Sequence, residues 1–282
     1  MNETHPFDTF LRTDRLPHMW CPGCGIGTVL NAFILALTKS EIPLDDVTVV
    51  SGIGCSGRVA GYLNLDSFHT THGRAIPFAT GLKLANPKLK VVVFSGEGDL
   101  ISIGGNHFIH AARRNQDMVV ICINNFNYSM TGGQVSAATP YEAMSSTTPY
   151  LNHELPFNLC HLADACGATY VARYTSAHPR RITKSIREAF DRNGFSFIEV
   201  ITPCPTLYGR MNRLGDGLQM MKDLKERSVV KNGKSTRDID IGMEGEIVIG
   251  RFVDIEKPAF YERIEKGYIE TFGDRYRSWR EE

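Results

Sequence analysis

The sequence predicts an α/β fold, a mostly parallel sheet with helices on both faces, followed by a C-terminal extension. Two continuous apolar runs, at 91–94 and 118–123, have the character of strands buried on both faces of a parallel sheet. Residues 103–113 between them read as a helix, and strand, helix, strand in that order make a right-handed crossover unit. Both runs end in short loops of small or polar residues, Gly96-Glu97-Gly98-Asp99 and Asn124-Asn125.

The other elements follow in order. Residues 1–20 read as an irregular lead-in. A helix is predicted from just after Cys24 to about residue 38, with Val29, Leu30, Phe33, Ile34 and Leu37 at helical spacing. A short buried strand at 47–50 runs into the loop Gly52-Ile53-Gly54-Cys55-Ser56-Gly57, and 77–85 again looks helical. A strand at 170–174, a helix near 180–192 and a strand at 195–201 then lead to Pro203-Cys204-Pro205. These place the α/β domain at 1–205. Residues 206–282 carry amphipathic stretches at 217–227 and 258–272 and fewer apolar runs. They are expected to pack, as an extension, on the domain or on a partner subunit.

The 282 residues, 42% hydrophobic, are enough for a sizeable core. Lys plus Arg and Asp plus Glu balance at 31 each, so no basic excess points to nucleic acid. No run approaches the roughly 18 apolar residues of a membrane span, and the first twenty residues lack the apolar core of a signal peptide. A cytoplasmic location is the expectation. The seven cysteines include one Cys-x-x-Cys, Cys21 and Cys24. In a cytoplasmic chain that odd count argues for metal binding or redox chemistry over a disulfide framework.

In an open α/β sheet, ligands bind beyond the carboxyl ends of the strands. Gly96 and Gly98 would let the backbone approach a phosphate closely, and the following helix N-terminus favours anions. A carboxylate at 97 and the amides near 125 offer hard oxygen ligands, of the kind magnesium takes together with substrate phosphate oxygens. Gly-Glu-Gly alone is equally a plain strand-to-helix turn. Asp99 either helps bind a cofactor or caps the helix.

The whole constellation resembles the thiamine-diphosphate enzymes, with their Gly-Asp-Gly and Asn-Asn motifs, and more narrowly the β subunits of 2-oxoacid:ferredoxin oxidoreductases. The resemblance runs over about 17–210. It is carried by CPGCG (21–25), GIGCSG (52–57), HTTHGRAIPFATG (69–81), GEGDLISIGGNH (96–107), RRN (113–115) and NNFNYSMTGGQVSAATP (124–140). It implies the thiamine-diphosphate-binding fold. It makes residue 97 the magnesium carboxylate, with the Asn125 side chain and the Asn127 carbonyl as further ligands. Where the family has Asp, this chain has Glu97, whose extra methylene must be accommodated.

The resemblance also implies that Ile53, Gly54, Cys55, Ser56, His72, Ser129 and Met130 border the cofactor. Cys21-x-x-Cys24 alone is a zinc half-site, a redox dithiol or part of an iron–sulfur site. By resemblance Cys55 and Cys204 complete the four thiolates of one [4Fe–4S] cluster, a set zinc also accepts. Cys122, Cys160 and Cys166 read as buried small hydrophobes. His72, Arg58 and Met130 are the candidate catalytic residues. A guanidinium suits a distal carboxylate, so Arg58 inclines the reading towards 2-oxoglutarate over pyruvate. The alternatives for Arg58 are a surface ion pair or a contact to coenzyme A.

The reaction implied is oxidative decarboxylation of a 2-oxoacid. The acyl group passes to coenzyme A and electrons pass through the cluster to ferredoxin, or the same chemistry runs in reverse as reductive carboxylation. The sequence offers no convincing glutamate to activate the cofactor ring. The resemblance assigns that ylid-activating Glu to a partner α subunit, within an (αβ)2 assembly. The alternatives are a non-oxidative thiamine lyase or decarboxylase and a non-catalytic electron-transfer module.

Overall fold

The structure, a computed structural model, describes residues 5–278. In chain order its regular elements are α1 (Ile26–Thr38), β1 (Val47–Ser51), α2 (Val59–Tyr62), β2 (Asp66–His69), α3 (Ala75–Ala85), β3 (Lys90–Gly96), α4 (Gly105–Arg114) and β4 (Met118–Asn124). They continue with α5 (Leu159–Ala165), β5 (Tyr170–Thr175), α6 (Pro179–Phe190), β6 (Phe195–Ile201), α7 (Gly217–Arg227), β7 (Ser228–Val230), β8 (Ile247–Asp254) and α8 (Phe260–Phe272). All strands join one sheet in the order β2-β1-β3-β4-β6-β5-β8-β7. Pairings are parallel from β2 through β5, and β8 meets β5 antiparallel.

Valine-rich β3 and β4 alternate between two cores. Val92, Phe94, Val119, Ile121 and Ile123 face α1 and α6. Val91, Val93, Val120 and Cys122 face α3, α4 and α5. Phe33 of α1 stands edge-on to Phe94 at 5.1 Å between ring centres. α6 starts with Pro179, which loses nothing there because a first-turn N–H has no helical partner. Asn115 closes α4 in the left-handed conformation, φ 52°.

Three features differ from the sequence expectations. The helix expected at 103–113 begins earlier, as a π-helical turn over Gly98–Ile103, and is interrupted at Gly104. A side chain at 104 would stand 2.8 Å from the Asp99 carbonyl, so the backbone passes there only as glycine. Strand β2 is additional; it is short, largely exposed and on the sheet edge, so it lacks an apolar signature. Residues 206–278 pack on the domain by strand addition: β8 and β7 continue its sheet, while the segment leading into α8 is tied to Asn115, whose side-chain amide donates to the Lys257 and Pro258 carbonyls.

Candidate active site

β1, β3, β4 and β6 lie side by side, so the loops at their carboxyl ends converge. One cleft gathers Ile53, Gly54, Cys55 and Ser56 after β1 with Gly96, Glu97, Gly98 and Asp99 after β3. Asn125, Asn127, Ser129 and Met130 after β4 and His72 before α3 complete its walls. Every residue expected to touch the cofactor or magnesium thus lies in one place. Gly98 is needed there, since a Cβ would meet the Tyr128 ring at 2.4 Å.

Glu97 is 2% exposed. Its Oε1 accepts from the Ser136 hydroxyl at 3.0 Å, and its Oε2 lies 3.5 Å from the Asn125 N–H. Ser136 thereby takes up part of the longer side chain's reach. Among the described residues no cation pairs with this carboxylate. Burial outweighs its hydrogen bonds and pushes its carboxyl up to about 7. That opposes ionisation by on the order of 3 kcal/mol. A buried carboxylate of this kind beside two amides fits a hard divalent cation, which needs only one or two carboxylates when phosphate oxygens fill its shell.

Asp99 does not cap the helix. Its Oδ1 accepts from Gly73 N–H at 2.7 Å and Ile53 N–H at 3.3 Å and contacts Nδ1 of His72, while Oδ2 accepts from Ser95 at 2.6 Å. One carboxylate therefore ties the loops after β1, after β2 and after β3. Gly52 leaves it room, because a Cβ there would sit 1.7 Å from Oδ2. With Nδ1 held, His72 keeps Nε2 for other partners, and its ring stands edge-on to Tyr128 at 6.1 Å.

The turn after β4 is tight. Phe126 has φ 66°, unusual for a bulky residue, and packs on Tyr208 at 5.4 Å. Asn127 turns its amide onto the Asn125 carbonyl at 2.7 Å, and its own carbonyl accepts from Ser129 at 3.4 Å.

A second cavity, about 380 Å³, adjoins the cleft and is lined by Cys21, Cys24, Cys55 and Cys204 together with Arg58. Burial first, and then the neighbouring thiols, push Cys55 up to about 11; burial also raises Cys24. Trp20 holds the arrangement by donating to the Cys55 carbonyl at 2.8 Å. Gly23 and Gly25, at φ 80° and 78°, shape the Cys-x-x-Cys turn, and a Cβ on Gly23 would stand 2.8 Å from the Cα of Gly217. Among the described residues no three His, Cys, Asp or Glu side chains are gathered closely enough to grip one metal ion. Cys122 and Cys160 are buried in the core as expected of small hydrophobes, whereas Cys166 at the end of α5 is half-exposed. Arg58 is exposed and forms no ion pair among the described residues.

Ser136, Tyr128 and Trp20 escaped the sequence reading as functional residues. Only the first two had a local signal, since they lie within the 124–140 motif. A profile described as "Thiamine pyrophosphate enzyme, C-terminal TPP binding domain" matches residues 52–200. The 2-oxoglutarate synthase subunit KorB of Methanocaldococcus jannaschii is 53% identical over 262 residues, 93% of this chain and 97% of the relative. The 2-oxoacid:ferredoxin oxidoreductase subunit beta of Sulfolobus sp. is 38% identical over 258 residues, 87% of this chain and 85% of the relative. A solved 2-oxoglutarate:ferredoxin oxidoreductase from Magnetococcus marinus, with 2-oxoglutarate, coenzyme A and succinyl-CoA bound, superposes with a TM-score of 0.85 at 29% identity. That similarity covers 100% of this chain and 95% of the other. The cleft at the strand ends and these relatives agree: the chain belongs to the thiamine-pyrophosphate-binding β subunits of the 2-oxoacid:ferredoxin oxidoreductase family.

Proposed function

We propose that the chain is the cofactor-bearing subunit of a complex that converts 2-oxoglutarate and coenzyme A to succinyl-CoA and CO₂, or runs the reverse carboxylation. Electrons would leave singly through a [4Fe–4S] cluster to ferredoxin. One observation carries this reading: Cys55, Asn125, Ser129 and Met130 line both the cofactor cleft and the four-thiol cavity. Electron acceptor and reacting centre would then be separated by a single residue. Thiamine diphosphate, when bound, supplies the electron sink for decarboxylation.

This chain's residues do the holding. Glu97, Asn125 and Asn127 would bind magnesium, and Gly96 and Gly98 would admit the diphosphate. Asp99 orients His72, whose Nε2 can exchange a hydrogen bond or proton with the substrate. Four cysteines on one cavity wall suit a cluster better than zinc. A cluster spreads its four thiolates over several iron atoms, whereas zinc gathers all four at roughly 2.3 Å, and among the described residues no three such side chains are gathered around one ion position. Glu97 and Asp99, the carboxylates of the cleft, are both engaged, so a partner α subunit is the source assigned to the carboxylate that activates the cofactor ring. The mostly exposed Arg58 stands where a distal carboxylate could reach it.

The test is viologen reduction by the copurified complex with coenzyme A and a panel of 2-oxoacids. Activity with 2-oxoglutarate well above that with pyruvate or branched oxoacids supports the reading. Equal or greater activity with pyruvate overturns the substrate, and decarboxylation without viologen reduction overturns the redox role.

A further inference from the structure

Behind the cleft lies a buried polar chain that the reaction itself does not use. Glu199 of β6 and Arg173 of β5 are directly opposite each other across the strand pair. They are 0% and 1% exposed, and Arg173 Nε donates to Glu199 Oε2 at 2.7 Å. The Cys160 thiol contacts the same oxygen at 3.3 Å, and Arg173 also donates to the Ile239 carbonyl and, at 3.4 Å, to Asn158. The other oxygen, Oε1, accepts from the side-chain amide of Asn124 at 2.8 Å. Asn124 ends β4, and its own Oδ1 accepts from the Phe126 N–H at 3.1 Å.

That last bond is a side-chain turn, in which Asn accepts from the backbone N–H two positions on, here the left-handed residue. Phe126 is that residue, and it separates Asn125 from Asn127. Glu199 decides which way the Asn124 amide faces. With its NH₂ drawn to Glu199, only the oxygen is left for Phe126. Arg173 in turn holds the Glu199 carboxyl in one position. A buried ion pair is weak evidence of stability, because apolar residues of similar size often serve as well. Among the described residues its hydrogen-bonded connection to the cleft runs through Asn124.

We propose that Arg173, Glu199 and Asn124 are positioning residues that set the Asn125–Asn127 turn for magnesium and so determine how tightly the diphosphate cofactor is held. The inference rests on the functional reading above. It is tested on the whole complex after the cofactor is stripped, by calorimetric titration of thiamine diphosphate at fixed magnesium. Thermal midpoint and cluster absorbance are recorded alongside.

Asn124→Ala is expected to weaken cofactor binding about tenfold or more, with cluster absorbance retained and the loss reduced at high magnesium. Glu199→Gln, which keeps an acceptor for Asn124, is expected to lose less. The paired replacement Arg173→Met with Glu199→Leu removes both buried charges together. It is expected to fold and still bind the cofactor more weakly than wild type. Wild-type affinity in Asn124→Ala overturns the proposal, and so does wild-type affinity in the folded paired variant. If the paired variant does not fold, Asn124→Ala decides alone. Failure of the wild-type complex to take up thiamine diphosphate would instead count against the functional reading.

Discussion

Asp99 holds the Nδ1 nitrogen of His72 with the same oxygen that accepts the Gly73 N–H at 2.7 Å. A buried carboxylate that serves donors from two loops and from β3 is both an orienting group and a structural tie. In Asp99→Asn one oxygen becomes an NH₂ that faces N–H or O–H donors. The expected cost is about 1–3 kcal/mol of stability, together with a fall in kcat of about tenfold or more as His72 loses its fixed orientation. Thermal unfolding and steady-state kinetics of the complex check this. His72→Gln should lower kcat with little change in thermal midpoint, since Asp99 keeps its other partners.

As the proposed magnesium ligand, Glu97 should make cofactor loading depend on pH. Its carboxyl is held near 7 by burial, against an ordinary 4.5. Metal takes the ionised form, so binding below pH 7 must displace a proton. The apparent affinity of the stripped complex for magnesium and thiamine diphosphate is expected to fall about tenfold per pH unit below 7 and to be flat above it. Stability of the metal-free fold runs the opposite way. The native state favours the protonated carboxyl, so that contribution is present below 4.5 and is lost as the pH rises through 7. Titration calorimetry across this range reads the first effect. A flat affinity from pH 5 to 8 would exclude Glu97 as a ligand.

Gly52→Ala should damage the site without replacing any polar group in it. Its new methyl would fall 1.7 Å from Asp99 Oδ2, so either the carboxylate or the loop after β1 must move. Weaker thiamine diphosphate binding and a lower thermal midpoint are expected together. A variant with both at wild-type values would show that the loop relaxes freely.

Much of this architecture is legible in the sequence. Core strands such as 91–94 and 118–123 are apolar throughout because both faces are covered, and the glycine and asparagine loops stand at their ends. Strand β2 was not legible, because an exposed edge strand has no buried face to pattern. Strand β8 did leave a signal in Ile247-Val248-Ile249, but it lies between the two amphipathic stretches of a segment read only as an extension. The role of Asp99 is not legible in the sequence, because Ile53, His72 and Gly73, which it ties together, come from distant parts of the chain. The Arg173–Glu199 pair was visible only as two charges inside otherwise apolar strands, a pattern that asks for a buried partner without naming it.

The cysteines divide into two groups with opposite expectations. Replacing Cys21, Cys24, Cys55 or Cys204 by Ser should remove the cluster's visible absorbance and abolish viologen reduction. Cys166→Ser, outside the cavity, should leave both intact. In iron-depleted protein Cys55 stays a neutral thiol at pH 8, because its thiol is pushed up to about 11, and should alkylate slowly. Rapid alkylation at Cys55 would contradict the crowding seen around it.

Arg58 reports on substrate choice. If it anchors a distal carboxylate, Arg58→Ala should raise the KM for 2-oxoglutarate at least tenfold and leave that for pyruvate nearly unchanged. Parallel losses for both would place Arg58 in cluster support or coenzyme A contact.

The partition formed by Cys55, Asn125, Ser129 and Met130 stands between two compartments and is one residue thick. Under the proposed function, room for the substrate and electrical insulation of the cluster would be set by the same side chains. Trimming Met130 to admit a bulkier oxoacid would then also thin the screen around the iron, and a lineage that widened its diet by this route would change its tolerance of dioxygen in the same step.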